Sequence, residues 1–240
     1  ILPRLNSRWP DISARLMRSA GHAGEAAELL EDLADIDLQG LGSRPERLPI
    51  DRLKELSQAR QRNLLRYSLK KLGLSTPTAM QLSRVLEEVI PARHDAQPLV
   101  SWPGAAVRRY RNGLYLLPEN LVESPATIQV SSADVPLGPG LGTLQFVHDA
   151  PRGMAERFWQ TDLQVRFRQG GEGFLPEGQS HTRNLKKLLQ EEGVVPWMRD
   201  RLPLVYADDE LVAVGDLWIA AQAVAEPGIA IRWSERPALH

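Results

Sequence analysis

The sequence predicts a multi-domain chain of α and α+β modules: a helical middle domain that ends in a β-hairpin, followed by a small α+β C-terminal domain. Three observations predict it. Leucines recur at helical spacing up to residue 90, the period changes around Asn112-Gly113, and strand, loop and helix patterns alternate from residue 161 onward. A length of 240 residues suits two modules, each able to bury a core.

Residues 1 to 42 read as a helical tail and linker. Two helices are expected there, one with Leu5, Trp9, Ile12 and Leu16 on a stripe and one with Ala26, Leu29, Leu30 and Leu33. The breaker "QGLGSRP" then opens a middle domain at 43 to 118. In it "PIDRLKELSQARQRNLLRYSLKKLGL" predicts two helices with a kink near Ser57 and Gly73 as the C-terminal cap. A helix over "STPTAMQLSRVLEEVIPAR" starts on Ser/Thr caps and stops before Pro91. Asn112-Gly113, between "AAVRRYR" and "LYLLP", predicts the hairpin turn. Residues 119 to 160, rich in Pro, Gly, Ser and Asp, predict an irregular connection with short strands. The C-terminal domain, 161 to 240, reads as strand ("LQVRFR"), loop, helix ("HTRNLKKLLQEEG") and three further strands.

With 42% hydrophobic and 25% charged residues the composition is that of a folded protein. The absence of cysteine excludes disulfides and thiolate metal sites and points to the cytoplasm. "LVAVGDLWIAAQAVA" is interrupted by Asp216 and falls short of the roughly 20 residues of a membrane span. The start "ILPRLNSRWP" has no initiating Met and no signal pattern, which predicts a fragment of a longer protein.

The net charge of -1 hides an asymmetry. Residues 43 to 118 hold 14 basic and 6 acidic side chains, a net of +8, whereas residues 1 to 43 hold 4 and 7, a net of -3. Concentrated positive charge steers in a polyanion, although arginines also simply solvate helix faces. Arg60, Arg62, Arg66 and Lys70, then Arg93, then Arg108, Arg109 and Tyr110 are the candidate contacts in this domain.

Catalytic patterns are missing. His22, His94, His148, His181 and His240 show no ligand spacing, so no metal is expected. "GPGLG" at 138 to 142 lacks the Gly-Lys-Ser/Thr ending of a phosphate loop and reads as a turn. No Gly-x-Ser-x-Gly elbow occurs, and adjacent acids such as Glu87-Glu88 point different ways. On a helix starting near His181, Leu185, Leu188 and Leu189 form the buried stripe while Arg183, Lys186 and Lys187 share the other side. Pro196 ends that helical region, and Trp197, Arg199 and Arg201 follow as candidates for base stacking and phosphate contact. A core Trp beside solvent-facing arginines is the competing reading of the same residues.

Residues 167 to 220, with Gly170-Gly171-Glu172, Leu185-Lys186-Lys187-Leu188, Val195-Pro196-Trp197, Arg199 to Pro203 and Leu217-Trp218-Ile219, resemble the C-terminal domain of the tRNA(Ile)-lysidine synthase family. "RQRNLLRYSLKKLGL" and "ARHDAQPLVSWPGAAVRRYRNGLYLLP" are similar to that family's middle substrate-binding domain, and "ILPRL" to the end of its catalytic domain. Two departures stand out: His181-Thr182-Arg183-Asn184 is less lysine-rich than the family pattern, and Leu189 replaces a usual Phe. The resemblance implies the tRNA-recognising part of a ligase that uses ATP to attach lysine to the wobble cytidine of a minor isoleucine tRNA. It implies ATP and lysine as ligands of the parent enzyme, none in this stretch, and leaves a homodimeric parent open. The family's Ser-Gly-Gly-x-Asp-Ser ATP loop does not occur in the sequence. Two other classes compete: a stand-alone nucleic-acid-binding or protein-interaction module, and a complete small enzyme with an unrecognised pocket.

Overall fold

The computed structural model describes residues 8–93, 96–121 and 126–239. Leu5, the "ILPRL" stretch, His94 and His240 lie outside them. The chain forms two compact units, Ile1–Leu121 and Val122–His240.

Among the described residues, Ile12 and Leu16 of the first expected helix and Ala26 to Leu33 of the second lie in a single helix, α1 (Ile12–Gly40). Gly21 and Gly24 sit within it without breaking it, since each costs a helix interior only about 1 kcal/mol. Only its last turns bury side chains, Ala34, Asp37 and Leu38, while Trp9, Leu16, Leu29 and Leu30 stay exposed. Strand β1 (Arg47–Pro49) leads into α2 (Ile50–Glu55) and α3 (Gln58–Lys71). The expected break is the N-cap Ser57, whose hydroxyl accepts from the Arg60 N–H. Thr78 and Gln81 form a reciprocal capping box on α4 (Ala79–Arg84), which runs into a π-helical turn, Val85–Val89.

Strands β2 (Leu99–Trp102), β3 (Ala105–Tyr110) and β4 (Gly113–Leu117) complete an antiparallel sheet in the order β1-β4-β3-β2. The hairpin loop is Arg111-Asn112, one residue earlier than the sequence suggests, and Gly113 opens β4 opposite Tyr110. A Cβ on Gly113 would lie 2.5 Å from the Tyr115 ring, so a larger residue there would force that ring to shift. The core lies between sheet and helices, with Leu53, Leu64, Leu69, Val85, Val107 and Leu114 at its centre.

The short strands expected in the connection at 119 to 160 are present, and they are part of the sheets of the second unit. Strands β5 (Ile128–Gln129), β6 (Asp134–Pro136), β7 (Thr143–Ala150) and β8 (Gly153–Met154) lie there and join two sheets whose other strands come much later. The "GPGLG" stretch is the turn between β6 and β7, and a Cβ on Gly142 would meet the Ser234 carbonyl at 2.1 Å. One sheet contains β9 (Leu163–Phe167), β12 (Pro203–Ala207), β13 (Glu210–Val214) and β14 (Trp218–Ile219) in the order β14-β13-β12-β9-β5. The other, β15-β8-β16-β7-β6, adds β15 (Val224–Ala225) and β16 (Gly228–Ser234). Between β9 and β12 the chain forms a short ribbon of β10 (Gly173–Phe174) and β11 (Arg183–Asn184), then α5 (Leu185–Glu192) and α6 (Pro196–Arg199).

Candidate nucleic-acid interface

In the first unit the basic residues of α3 divide into two groups. Arg60 donates to Asp37, whose side chain is 1% exposed. Lys70 pairs with Glu31, and Lys71 donates to Asp35 at 3.2 Å. The Tyr67 hydroxyl and the Lys71 ammonium hold the Asp35 carboxyl below the usual carboxylate range, and Asp35 in turn raises Lys71. The acids of α1 thus answer part of the +8 of the middle segment. Arg62 and Arg66, one helical turn apart, meet no acid in any ion pair among the described residues; Arg66 is exposed and Arg62 half-buried. With Lys70 they form one stripe at spacings of four.

Arg109 is a correction. Its side chain is 7% exposed, donating from Nε to the Arg111 carbonyl at 3.1 Å and from a terminal nitrogen to the Ile90 carbonyl at 2.7 Å. It ties the hairpin to the end of the π-helical turn and is not a surface contact. Alternation along β3 leaves Arg108 and Tyr110 half-buried on the opposite side, and Arg93 is exposed. The Arg111 guanidinium sits 5.3 Å from the Tyr110 ring centre.

In the second unit α5 begins at Leu185, four residues later than expected, because Asn184 caps it by accepting from the Lys186 N–H at 2.9 Å. Gly193, at φ 88°, ends it in the left-handed conformation. Leu185, Leu188 and Leu189 are buried as expected, and Lys186 and Lys187 are exposed. Arg183 turns back to Glu191 at 2.6 Å.

Of the two readings of the residues after the helix, the core reading describes Trp197. Pro196 starts α6 rather than ending a helical region. Trp197 is 8% exposed and belongs to the core. Arg199 donates to the Val194 carbonyl at 2.9 Å and Arg201 to the Trp197 carbonyl, so both half-buried guanidiniums brace this turn. Lys186 and Lys187 are the exposed cations of this segment, and Arg183, Arg199 and Arg201 are half-buried. Sequence reasoning passed over Arg166 and Arg168, which the alternation of "LQVRFR" sets on one face while Leu163, Val165 and Phe167 point inward. Among the described residues no group of three or more His, Asp or Glu stands together as a metal cluster would, and no helix is long and apolar enough to cross a membrane.

Residues 48–115, which hold α3 and the hairpin, match the TilS substrate binding domain, and residues 163–233, which hold α5, match the TilS substrate C-terminal domain. The chain belongs to the tRNA(Ile)-lysidine synthase (TilS) family by these two domains. Among TilS relatives, the tRNA(Ile)-lysidine synthase of Methylococcus capsulatus is 36% identical over 98% of this chain and 55% of its own length. That of Coxiella burnetii is 41% identical over 89% and 48%, and that of Alkalilimnicola ehrlichii 38% over 94% and 51%. The chain therefore spans about half the length of the curated TilS relatives it matches.

Proposed function

We propose that these 240 residues recognise and position tRNA for an ATP-dependent ligase that attaches lysine to the wobble cytidine of a minor isoleucine tRNA. The observation that carries the reading is the match to both TilS substrate domains, each of which presents surface cations that no acid neutralises among the described residues. In the first domain these are Arg62 and Arg66, beside Lys70, which pairs with Glu31; in the second they are Lys186 and Lys187. Cations on rigid helices neutralise phosphates at fixed positions, which sets register and makes affinity salt-dependent.

The chemistry is assigned elsewhere in the ligase. The sequence holds no phosphate loop for ATP, and among the described residues His148 is the one histidine beside a carboxylate in the second domain, 3.1 Å from Glu156 on the surface. The cytoplasm, where uncharged tRNA and ATP meet, is the compartment this reading requires. Calorimetry of the chain with minor isoleucine tRNA, methionine tRNA and ATP tests it. The expected result is binding of tRNA, tighter for the isoleucine species, with no heat from ATP; tight ATP binding or no tRNA binding contradicts it.

A further inference from the structure

A cleft of about 470 Å3 opens in the second unit over the polar face of β9. One wall is a fixed stack: the Arg166 guanidinium lies 4.5 Å from the Tyr206 ring centre. Its Nε donates to the Gln164 side chain at 3.1 Å, and a terminal nitrogen donates to the Asp208 carbonyl and the Asp209 carboxylate, both at 3.2 Å. Those bonds hold the guanidinium plane in place over the ring.

The floor is an underused charge pair. Arg168, with a side chain 11% exposed, reaches Asp200 at 2.5 Å and lies 3.5 Å from Glu172. The other Glu172 oxygen accepts from the Gln169 and Gly170 N–H groups at 2.7 and 2.8 Å. Arg168 Nε and Glu172 Oε2 are the two atoms that lie 3.5 Å apart: both are buried, they face each other as an ion pair, and neither makes a hydrogen bond. Their charges compensate each other, yet the pair makes no hydrogen bond, which leaves hydrogen-bonding capacity for a group with complementary edges.

The charge in the cleft selects the ligand class. Arg166 and Arg168 are matched by Asp209, Glu172 and Asp200, so a phosphate meets no excess positive charge. A flat, uncharged ring with donors and acceptors on its edge fits both features, and the volume lies within the range of small-molecule sites. Resting on the tRNA reading above, we infer that this cleft takes one unstacked base of the RNA, its ring against the Arg166 guanidinium and its hydrogen-bonding edge toward Arg168 and Glu172. Unpaired bases in RNA loops and ends are held in this way, stacked on guanidinium planes and read at their edges.

The test has two arms. In the first, the isotopically labelled 240-residue chain is titrated with each of the four ribonucleoside 5′-monophosphates and with ribose 5-phosphate, following the Arg166 Nε–H resonance. At least one nucleotide shifts it and ribose 5-phosphate does not; an equal response to ribose 5-phosphate, or none to any nucleotide, overturns the inference. In the second arm, Arg166→Lys keeps the charge and removes the flat stacking surface. Its tRNA affinity falls roughly fivefold or more, the low end of base stacking, at an unchanged salt slope. Unchanged affinity overturns the base-binding cleft. A parent chain whose Arg166 responds to nucleotides yet binds no tRNA supports the cleft and overturns the tRNA reading.

Discussion

Arg60 on α3 donates from Nε to the Asp37 carboxylate on α1 at 3.1 Å, and that carboxylate is sealed from water by the two helices. A guanidinium that the bare sequence offers to RNA is thereby committed to holding the long helix against the domain. Removing one partner of a buried pair leaves the other charge without compensation. Arg60→Ala is therefore expected to lower the thermal midpoint of the first unit, and its tRNA affinity to fall only as far as the folded fraction falls. Melting curves read beside binding curves check this; an unshifted midpoint with weakened binding would return Arg60 to the RNA surface.

Arg62 and Arg66 carry the opposite expectation. The double variant Arg62→Ala, Arg66→Ala keeps the parent's thermal midpoint, while the slope of log affinity against log salt drops by about 0.7 to 0.9 for each phosphate that is no longer neutralised. An unchanged slope makes the pair a solvated helix face.

The turn after α5 gives a stability series. Trp197→Ala removes a nearly buried ring and is expected to cost about 3 to 5 kcal/mol, and Leu188→Ala about 2 to 5 kcal/mol. Arg199→Ala deletes a charged donor to the Val194 carbonyl and costs about 1 to 3 kcal/mol. Denaturant unfolding measures all three, and variants folded as stably as the parent but deficient in tRNA binding contradict the core assignment.

Glu172 links the second unit to pH. Burial pushes its carboxyl up, but the N–H groups of Gly170, Glu172 itself and Gln169, with Arg168 nearby, outweigh that and hold it below the usual range. A carboxyl lowered on folding stabilises the protein above its unfolded value of about 4.3, and that stability is lost as pH falls through the folded value. Glu172→Gln is thus expected to be less stable than the parent at neutral pH, with the gap narrowing in acid. A gap that stays constant from about pH 7 to about pH 3 contradicts this.

How much of this was legible depends on whether the deciding partner is local. Caps at Ser57 and Thr78 and the leucine stripe of α5 follow from neighbours within one turn, and the sequence displays them. The pairing of the short strands between residues 128 and 154 does not, because β7 takes its register from β16, with Leu144 opposite Trp233. Nothing near Leu144 announces a partner so far along the chain. The same holds for the arginines. Arg62 and Arg109 look alike as letters, yet Arg109 bonds a carbonyl nineteen residues away and is buried. The charge count marks residues 43 to 118 as basic and does not say which guanidiniums are already engaged within them.

The most direct test of the central claim is a salt series of tRNA binding to four proteins: the parent chain, Arg62→Ala with Arg66→Ala, Lys186→Ala with Lys187→Ala, and the quadruple variant. If both domains grip phosphates, each pair lowers affinity and salt slope with the fold intact, and the two effects add in the quadruple variant. If the quadruple variant binds tRNA with the parent's affinity and slope, the surface cations of these two domains are ordinary solvated charge and neither domain recognises tRNA through them.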